Sequence, residues 1–157
     1  MTKEERIQSD LVAKFAFLAD KVKVQRDRRI IADVPRENFE AVLKYAIDEL
    51  DFVFLCTITG LDEGERFSFI YHLTRQDGVM LNLKISVPKE KAAIKTVIDY
   101  FRGAEIYERE IVDLLGVKVT GLPEGRRYPL SDDWPEGEYP LRKDWKKTEA
   151  KEAKPNA

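Results

Sequence analysis

A strict two-residue alternation between Phe67 and Val87 limits the folds open to this chain more than anything else in it. Phe67, Phe69, Tyr71 and Leu73 alternate with Ser68, Ile70, His72 and Thr74. Gln76-Asp77-Gly78 follows, and Val79, Leu81, Leu83, Ile85 and Val87 then alternate again. Successive side chains of a strand point to opposite faces, so this pattern predicts two strands that share one apolar face. Asp-Gly between them signals a hairpin, because glycine readily takes the positive φ of a tight turn. Just upstream, Phe52–Thr59 is a nearly continuous β-prone run. It is expected to be a third strand, buried on both faces, with Gly60–Glu65 as the turn after it. The three together predict an antiparallel meander that Pro88 ends.

Helical spacing flanks the meander. Thr2 with Glu5 fits a capping box, and Ile7, Leu11, Phe15 and Leu18 predict an amphipathic helix over 3–19. Val22–Gln25 and Arg29–Ala32 are short β-prone runs around Arg26-Asp27-Arg28, which suits a small hairpin. Phe39, Val42, Leu43, Ala46, Ile47 and Leu50 predict a second helix over 36–50, with Pro35 at its start. Ala92, Ile94, Val97, Ile98 and Phe101 describe a third. Residues 104–116 describe a fourth, with Tyr107, Ile111, Leu114 and Leu115 as its buried stripe and Gly116 as its stop. The expected fold class is α+β: an antiparallel sheet with helices packed on one face, plus an extended C-terminal arm. Residues 1–116 form the domain and 117–145 the arm. Residues 146–157 read as a polar, mobile tail.

Composition narrows the function. The 157 residues suit one domain. Charged residues make up 36%, yet 27 basic and 29 acidic side chains nearly cancel, so the basic excess of a general nucleic-acid binder is missing. Phe67, Phe69 and Tyr71 imitate a base-stacking platform, but a core face suits them better, since helices must cover one side of the sheet. Only one cysteine, Cys56, and one histidine, His72, are present. No internal disulfide, Cys/His zinc site or cysteine-ligated iron–sulfur site fits such a chain. Cys56 is expected to be a small core residue, and His72 a strand histidine on the polar side or under a helix. No glycine-rich phosphate loop occurs. No apolar run is long enough for a membrane span, and the charged N-terminus is not expected to be a signal peptide.

Two segments hold candidate function. On the helix over 104–116, Arg109 lies four residues from both Glu105 and Asp113, so it is placed to bridge two carboxylates. That cluster, with Glu108 and Glu110, reads as a solvated helix face, as a patch that docks a partner, or as a carboxylate catalytic site. The arm interleaves Arg126, Arg127, Arg142 and Lys143 with Tyr128, Trp134, Tyr139 and Trp145. It also holds four of the seven prolines. Arginine, tryptophan and tyrosine dominate interface hot spots, and prolines reduce the entropy lost on docking.

These residues resemble a known family. Glu108-Arg109-Glu110-Ile111-Val112-Asp113-Leu114-Leu115-Gly116-Val117 is similar to the Glu-Arg-Glu signature of the 30-kDa subunit of respiratory complex I, the NADH-quinone oxidoreductase. Gly121-Leu122-Pro123 with Arg126-Arg127 resembles that family's Gly-His-Pro and Arg-Arg stretch. Asp132-Asp133-Trp134 and Pro140-Leu141-Arg142-Lys143-Asp144-Trp145 resemble its closing elements. Thr59-Gly60-Leu61-Asp62 and Ile70-Tyr71-His72-Leu73 also look similar. The resemblance spans about residues 38–145. Leu122 stands where the respiratory proteins usually carry histidine. The family also includes the homologous subunit of membrane-bound [NiFe] hydrogenases.

The resemblance implies a non-catalytic peripheral-arm subunit of a membrane-associated, ion-translocating oxidoreductase. The membrane-bound hydrogenase type is favoured over a donor–quinone oxidoreductase. A free-standing adaptor or a carboxylate enzyme remains as an alternative. The implied partners are a large hydrogenase-like, 49-kDa-type subunit and a small iron–sulfur subunit, with indirect contact to the membrane arm and none to nucleic acid. No cofactor is implied in this chain; iron–sulfur clusters, and a [NiFe] centre in the hydrogenase type, belong to the partners. The implied location is peripheral, on the cytoplasmic face of the cell membrane. Carried over by motif, the partner-binding residues are Glu108, Arg109, Glu110, Asp113, Gly121, Pro123, Arg126, Arg127, Trp134, Leu141, Arg142 and Lys143.

Overall fold

The computed structural model describes residues 1–146. The expected tail over 146–157 therefore lies, apart from Lys146, outside the described residues.

Local signals at the N-terminus act as the sequence predicts. The Thr2 hydroxyl accepts from the Glu5 N–H at 3.1 Å, and the Glu5 carboxylate accepts from the Thr2 N–H at 2.7 Å. This reciprocal cap opens α1 (Lys3–Lys14), which buries Ile7 and Leu11. The helix is shorter than the predicted 3–19. It stops at Phe15, and a single 3-10 turn over Ala16–Leu18 turns Leu18 into the core. β1 (Val22–Arg26) and β2 (Arg29–Asp33) form the expected hairpin. A 3-10 turn then leads into α2 (Phe39–Asp48), which buries Phe39, Val42, Leu43 and Ala46.

β3 (Phe54–Asp62), β4 (Arg66–Thr74) and β5 (Met80–Pro88) pair antiparallel in the predicted order. Phe67, Phe69, Tyr71, Leu73, Leu81 and Leu83 are completely buried, and Ile85 and Val87 nearly so. The Phe39 ring of α2 packs 4.5 Å from the Tyr71 ring, and α1 contributes to the same core. The opposite face is polar: His72 lies between Thr59 Oγ1 at 2.9 Å and Asn82 Oδ1 at 2.6 Å, and Ser68 pairs with Ser86.

Strand order departs from expectation in two respects. The sheet runs β1-β2-β5-β4-β3, and β2 joins β5 in parallel, so one junction in a mostly antiparallel sheet is parallel. β3 is consequently an edge strand, not a strand buried on both faces. It runs on through Gly60 to Asp62, which confines the turn to the residues around Gly64. Phe54 is 48% exposed, and Cys56 is exposed too, so Cys56 is not a core residue. A dense apolar run marks strand propensity, but burial depends on which strands lie alongside.

The expected helix at 92–101 is absent. Ala93–Lys95 is β6, paired in parallel with β7 (Lys118–Thr120). The β-branched succession Ile94, Thr96, Val97, Ile98 disfavours a helix. Thr96 also accepts from the Ile98 N–H at 3.2 Å, and a turn follows. α3 (Ala104–Leu115) is the predicted last helix and packs on β3, adding Ile111 and Leu115 to the core. Gly60 makes that approach possible: a Cβ there would lie 2.7 Å from Leu115 Cδ1 and 3.6 Å from Phe69 Cε1. Among the described residues, no helix is long and apolar enough to cross a membrane.

Gly60→Val is expected to overpack the α3–β3 contact and cost about 1–3 kcal/mol. Chemical denaturation of the purified chain checks this; an unchanged midpoint would mean that α3 does not depend on a close approach to β3.

Candidate docking site on helix α3 and the arm

α3 leaves the carbonyls of its last turn without intrahelical donors. Gly116 takes the left-handed conformation at φ 68° and ψ 37°, and its N–H bonds the Val112 carbonyl at 2.9 Å. A Cβ at this position would also collide with the Tyr139 ring. The remaining donors come from the far end of the arm. Arg142 Nε donates to the Leu115 carbonyl at 2.7 Å, and its guanidinium stacks 4.5 Å from the Tyr139 ring centroid. The Leu141 N–H donates to the Leu114 carbonyl at 3.1 Å. A cation at a helix C-terminus is favourable, commonly by about 0.3–1 kcal/mol.

The three residues of the Glu-Arg-Glu run point to three different places. Glu108 is completely buried and accepts from Thr96 Oγ1 at 2.5 Å and the Val97 N–H at 2.7 Å. It holds the chain after β6 against α3. Burial pushes its carboxyl above the usual range, and the two hydrogen bonds only partly offset this. Nearby, burial and the Glu108 charge push the Tyr71 hydroxyl up as well. Arg109 donates to Glu105 at 2.9 Å and to the Pro123 carbonyl at 2.7 Å, tying the start of the arm to the helix. Glu110, half-buried, meets no ionic or hydrogen-bonding partner among the described residues.

The expected Arg109–Asp113 bridge does not form. Asp113 instead faces Arg127, 3.6 Å away, and accepts from the Leu130 N–H at 3.3 Å. Arg127 also donates to the Trp134 carbonyl at 2.6 Å, and the Trp134 indole donates to the Glu138 carbonyl at 2.9 Å. Trp134 and Trp145 lie 6.0 Å apart. Gly121, at φ 87°, passes over Thr96 so closely that a Cβ would lie 2.8 Å from its methyl. The Lys143 N–H donates to Asp62 Oδ2 at 2.9 Å. Of the residues assigned by motif, the structure thus gathers Arg109, Asp113, Pro123, Arg127, Trp134, Leu141, Arg142 and Lys143 into one pinned arm. Gly121 lies over Thr96, and Glu108 faces inward. Glu110 and the exposed Arg126 stay outside these contacts.

Sequence reasoning assigns no role to Asp62, Lys89, Thr96 or Tyr139, although Asp62 stands in the Thr59–Asp62 motif. The Asp62 side chain is 2% exposed and pairs with Lys89 at 2.7 Å, and Lys89 also reaches Asp144 at 3.0 Å. Burial alone would raise the Asp62 pKa. Lys89 and the N–H groups of Lys143 and Gly64 outweigh that and hold it at about 2. The carboxylates of α3 do not form one catalytic cluster, because Glu108, Glu110 and Asp113 face the β6–α3 turn, a groove and the arm respectively.

The fold, the buried Glu108 and the arm closing over α3 define a class: a small α+β subunit whose C-terminal segment wraps its own signature helix. The family described as respiratory-chain NADH dehydrogenase, 30 Kd subunit, matches residues 32–151, and the chain belongs to it. A subunit of the F(420)H(2) dehydrogenase of Methanosarcina mazei is 32% identical over 142 residues, 88% of this chain and 89% of its own. Membrane-bound hydrogenase subunit beta of Pyrococcus furiosus is 30% identical over 154 residues, 93% and 88% respectively. Among solved structures, a chain of the membrane-bound sulfane sulfur reductase, an archaeal respiratory membrane complex, superposes with a TM-score of 0.82 at 30% identity. The match covers 92% of this chain and 86% of that one.

Glu108 and Asp62 should affect stability in opposite directions as pH changes. Glu108 has a raised pKa in the folded state, so its contribution to stability is present at low pH and declines as pH rises above 4.5. Glu108→Gln is expected to remove that decline while keeping both hydrogen bonds. Glu108→Ala should cost about 2–4 kcal/mol by leaving the Val97 N–H and Thr96 unpaired. Denaturation midpoints across pH separate the two. Asp62 has a lowered pKa, so its contribution is present above 3.8 and is lost as pH falls toward about 2. Both tryptophans lie in the arm. Asp62→Asn at neutral pH is therefore expected to shift tryptophan emission and speed proteolysis within 121–145; unchanged spectra and cleavage would show that Asp62 does not hold the arm.

Proposed function

We propose that the chain is a non-catalytic peripheral subunit of a membrane-associated, ion-translocating oxidoreductase, docking a large hydrogenase-like subunit through α3 and the arm. The observation that carries this reading is the arm's construction. Arg109, Arg127 and Arg142 pin it from inside, while Ile106, Arg126, Tyr128 and Leu141 remain on the surface. A segment held in shape before it meets a partner loses less entropy on docking. Iron–sulfur clusters, and the [NiFe] centre of a hydrogenase type, belong in this reading to the large and small partner subunits. The complex lies against the cytoplasmic face of the membrane.

The membrane-bound hydrogenase type is the favoured subtype. It is supported by the near full-length match to a hydrogenase beta subunit and by Leu122 at the histidine position of quinone-reducing relatives. A second reading, the 30-kDa-type subunit of an F(420)H(2)-oxidising or other donor–quinone complex, is favoured by the match to the Methanosarcina protein.

Affinity purification of the full chain from its own membranes is expected to recover a large [NiFe]-type subunit and iron–sulfur partners. Hydrogen evolution by that complex would support the hydrogenase subtype, whereas oxidation of a deazaflavin donor would support the second reading. A monodisperse lone chain would overturn both. Arg126→Glu is expected to weaken recovery of the large subunit at least tenfold, about 1.4 kcal/mol. Arg126 is exposed and makes no ionic or hydrogen-bonding contact among the described residues. Its replacement should therefore change the stability of the isolated chain by no more than about 0.5 kcal/mol.

A further inference from the structure

The two edges of the five-stranded sheet are built differently. β1 is five residues long and carries Lys23 and Arg26, with Lys21 just before it. Charges on a short edge strand block pairing with foreign strands. β3 is nine residues long, and nothing from Phe54 through Leu61 is charged. Val53, Phe54 and Leu61 are 40–48% exposed. β3 pairs only with β4, so its outer backbone donors and acceptors are free among the described residues.

A groove runs beside this free edge. Its floor and one wall are Thr57–Gly60 of β3, and Glu110, Leu114 and Leu141 close the other side. The cavity holds about 220 Å³. That is below the roughly 300 Å³ at which small-molecule sites begin, and it suits inserted side chains better than a cofactor. Glu110 stands at the wall with no cation to meet it among the described residues.

We propose that the free edge of β3 accepts an extended strand from a partner protein. That strand places an apolar side chain in the Ile58–Leu114–Leu141 cavity and a lysine or arginine against Glu110. Main-chain hydrogen bonds supply affinity in strand addition, and pockets for alternate side chains supply specificity. Charge decides between occupants. A second copy offers Asp51, Asp62 and Glu63 around its own β3 and no basic residue between 51 and 63, so it brings no cation to Glu110. Residues 147–157 of this chain contain no large aliphatic or aromatic side chain to fill the cavity. The inference rests on the docking reading only in taking the strand from a subunit of the same complex.

Cys56 is the sole cysteine and is exposed on β3, which makes it a clean reporter. The chain purified alone and the complex taken from native membranes would be compared by amide hydrogen exchange over 54–61 and by maleimide labelling of Cys56, both read by mass spectrometry. Assembly is expected to slow both at least tenfold. Thr57→Lys, which gives β3 the kind of charge β1 carries, is expected to reduce complex recovery at least tenfold while the isolated chain keeps its melting temperature. A complex in which β3 still exchanges and labels at the free rate overturns strand addition and leaves the docking reading standing. Protection in the isolated chain that grows with its concentration assigns the edge to a second copy and overturns the proposal. A chain recovered alone from its own cells with β3 open overturns both readings.

Discussion

Closure of the C-terminal end of α3 ties the rest of the molecule together. An α-helix leaves its last carbonyls unpaired, and here the donors come from residues 141 and 142, after a long irregular excursion. Gly116 turns the chain out of the helix, Tyr139 returns to fill the space that a Cβ at Gly116 would take, and Arg142 lies between that ring and the helix end. The arm therefore completes the hydrogen bonding of the helix it covers. Asp62, buried at the end of β3, adds a second anchor through Lys89 and the Lys143 N–H. Edge strand, signature helix and arm are bound into one unit.

This closure explains why three adjacent polar residues on one helix turn do unlike work. Successive helical residues lie about 100° apart, so Glu108, Arg109 and Glu110 face the core, the arm and the groove. Glu108 contributes an internal tie, Arg109 secures the arm's first turn, and Glu110 keeps an open carboxylate beside β3. Reading such a run as one solvated face or as one catalytic cluster treats them as equivalent. Burial separates them: Glu108 is fully enclosed, whereas its two neighbours are only partly covered.

Strand order has a comparable effect on the sheet. The parallel β2–β5 junction puts the β1–β2 hairpin on one flank and pushes β3 to the other. One flank carries lysine and arginine, and the other is uncharged and long. The polar face of the sheet, with His72 held between Thr59 and Asn82, is satisfied internally by its own side chains. The open edge, the groove and the uncovered Glu110 accordingly gather where β3, α3 and the arm meet.

Features that depend on near neighbours are legible in the sequence. Alternation encodes the β4–β5 hairpin and its apolar face, Thr2 and Glu5 encode the opening cap, and Gly116 encodes the end of α3. Spaced motifs point to the family. Where the reading fails, the reason lies in partners distant along the chain. The apolar spacing of Ala92–Phe101 suits a helix, but β-branched residues and the distant strand at Lys118–Thr120 made it β6. Tertiary packing alone set Phe54 and Cys56 on an edge, and it chose which acid meets which base. Arg109 had two carboxylates within helical reach and took Glu105, because Arg127 claimed Asp113 from across the arm. Asp62 found its backbone donor 81 residues away. Pairings of that range depend on which segments the folded backbone brings together, and no local pattern of residues encodes them.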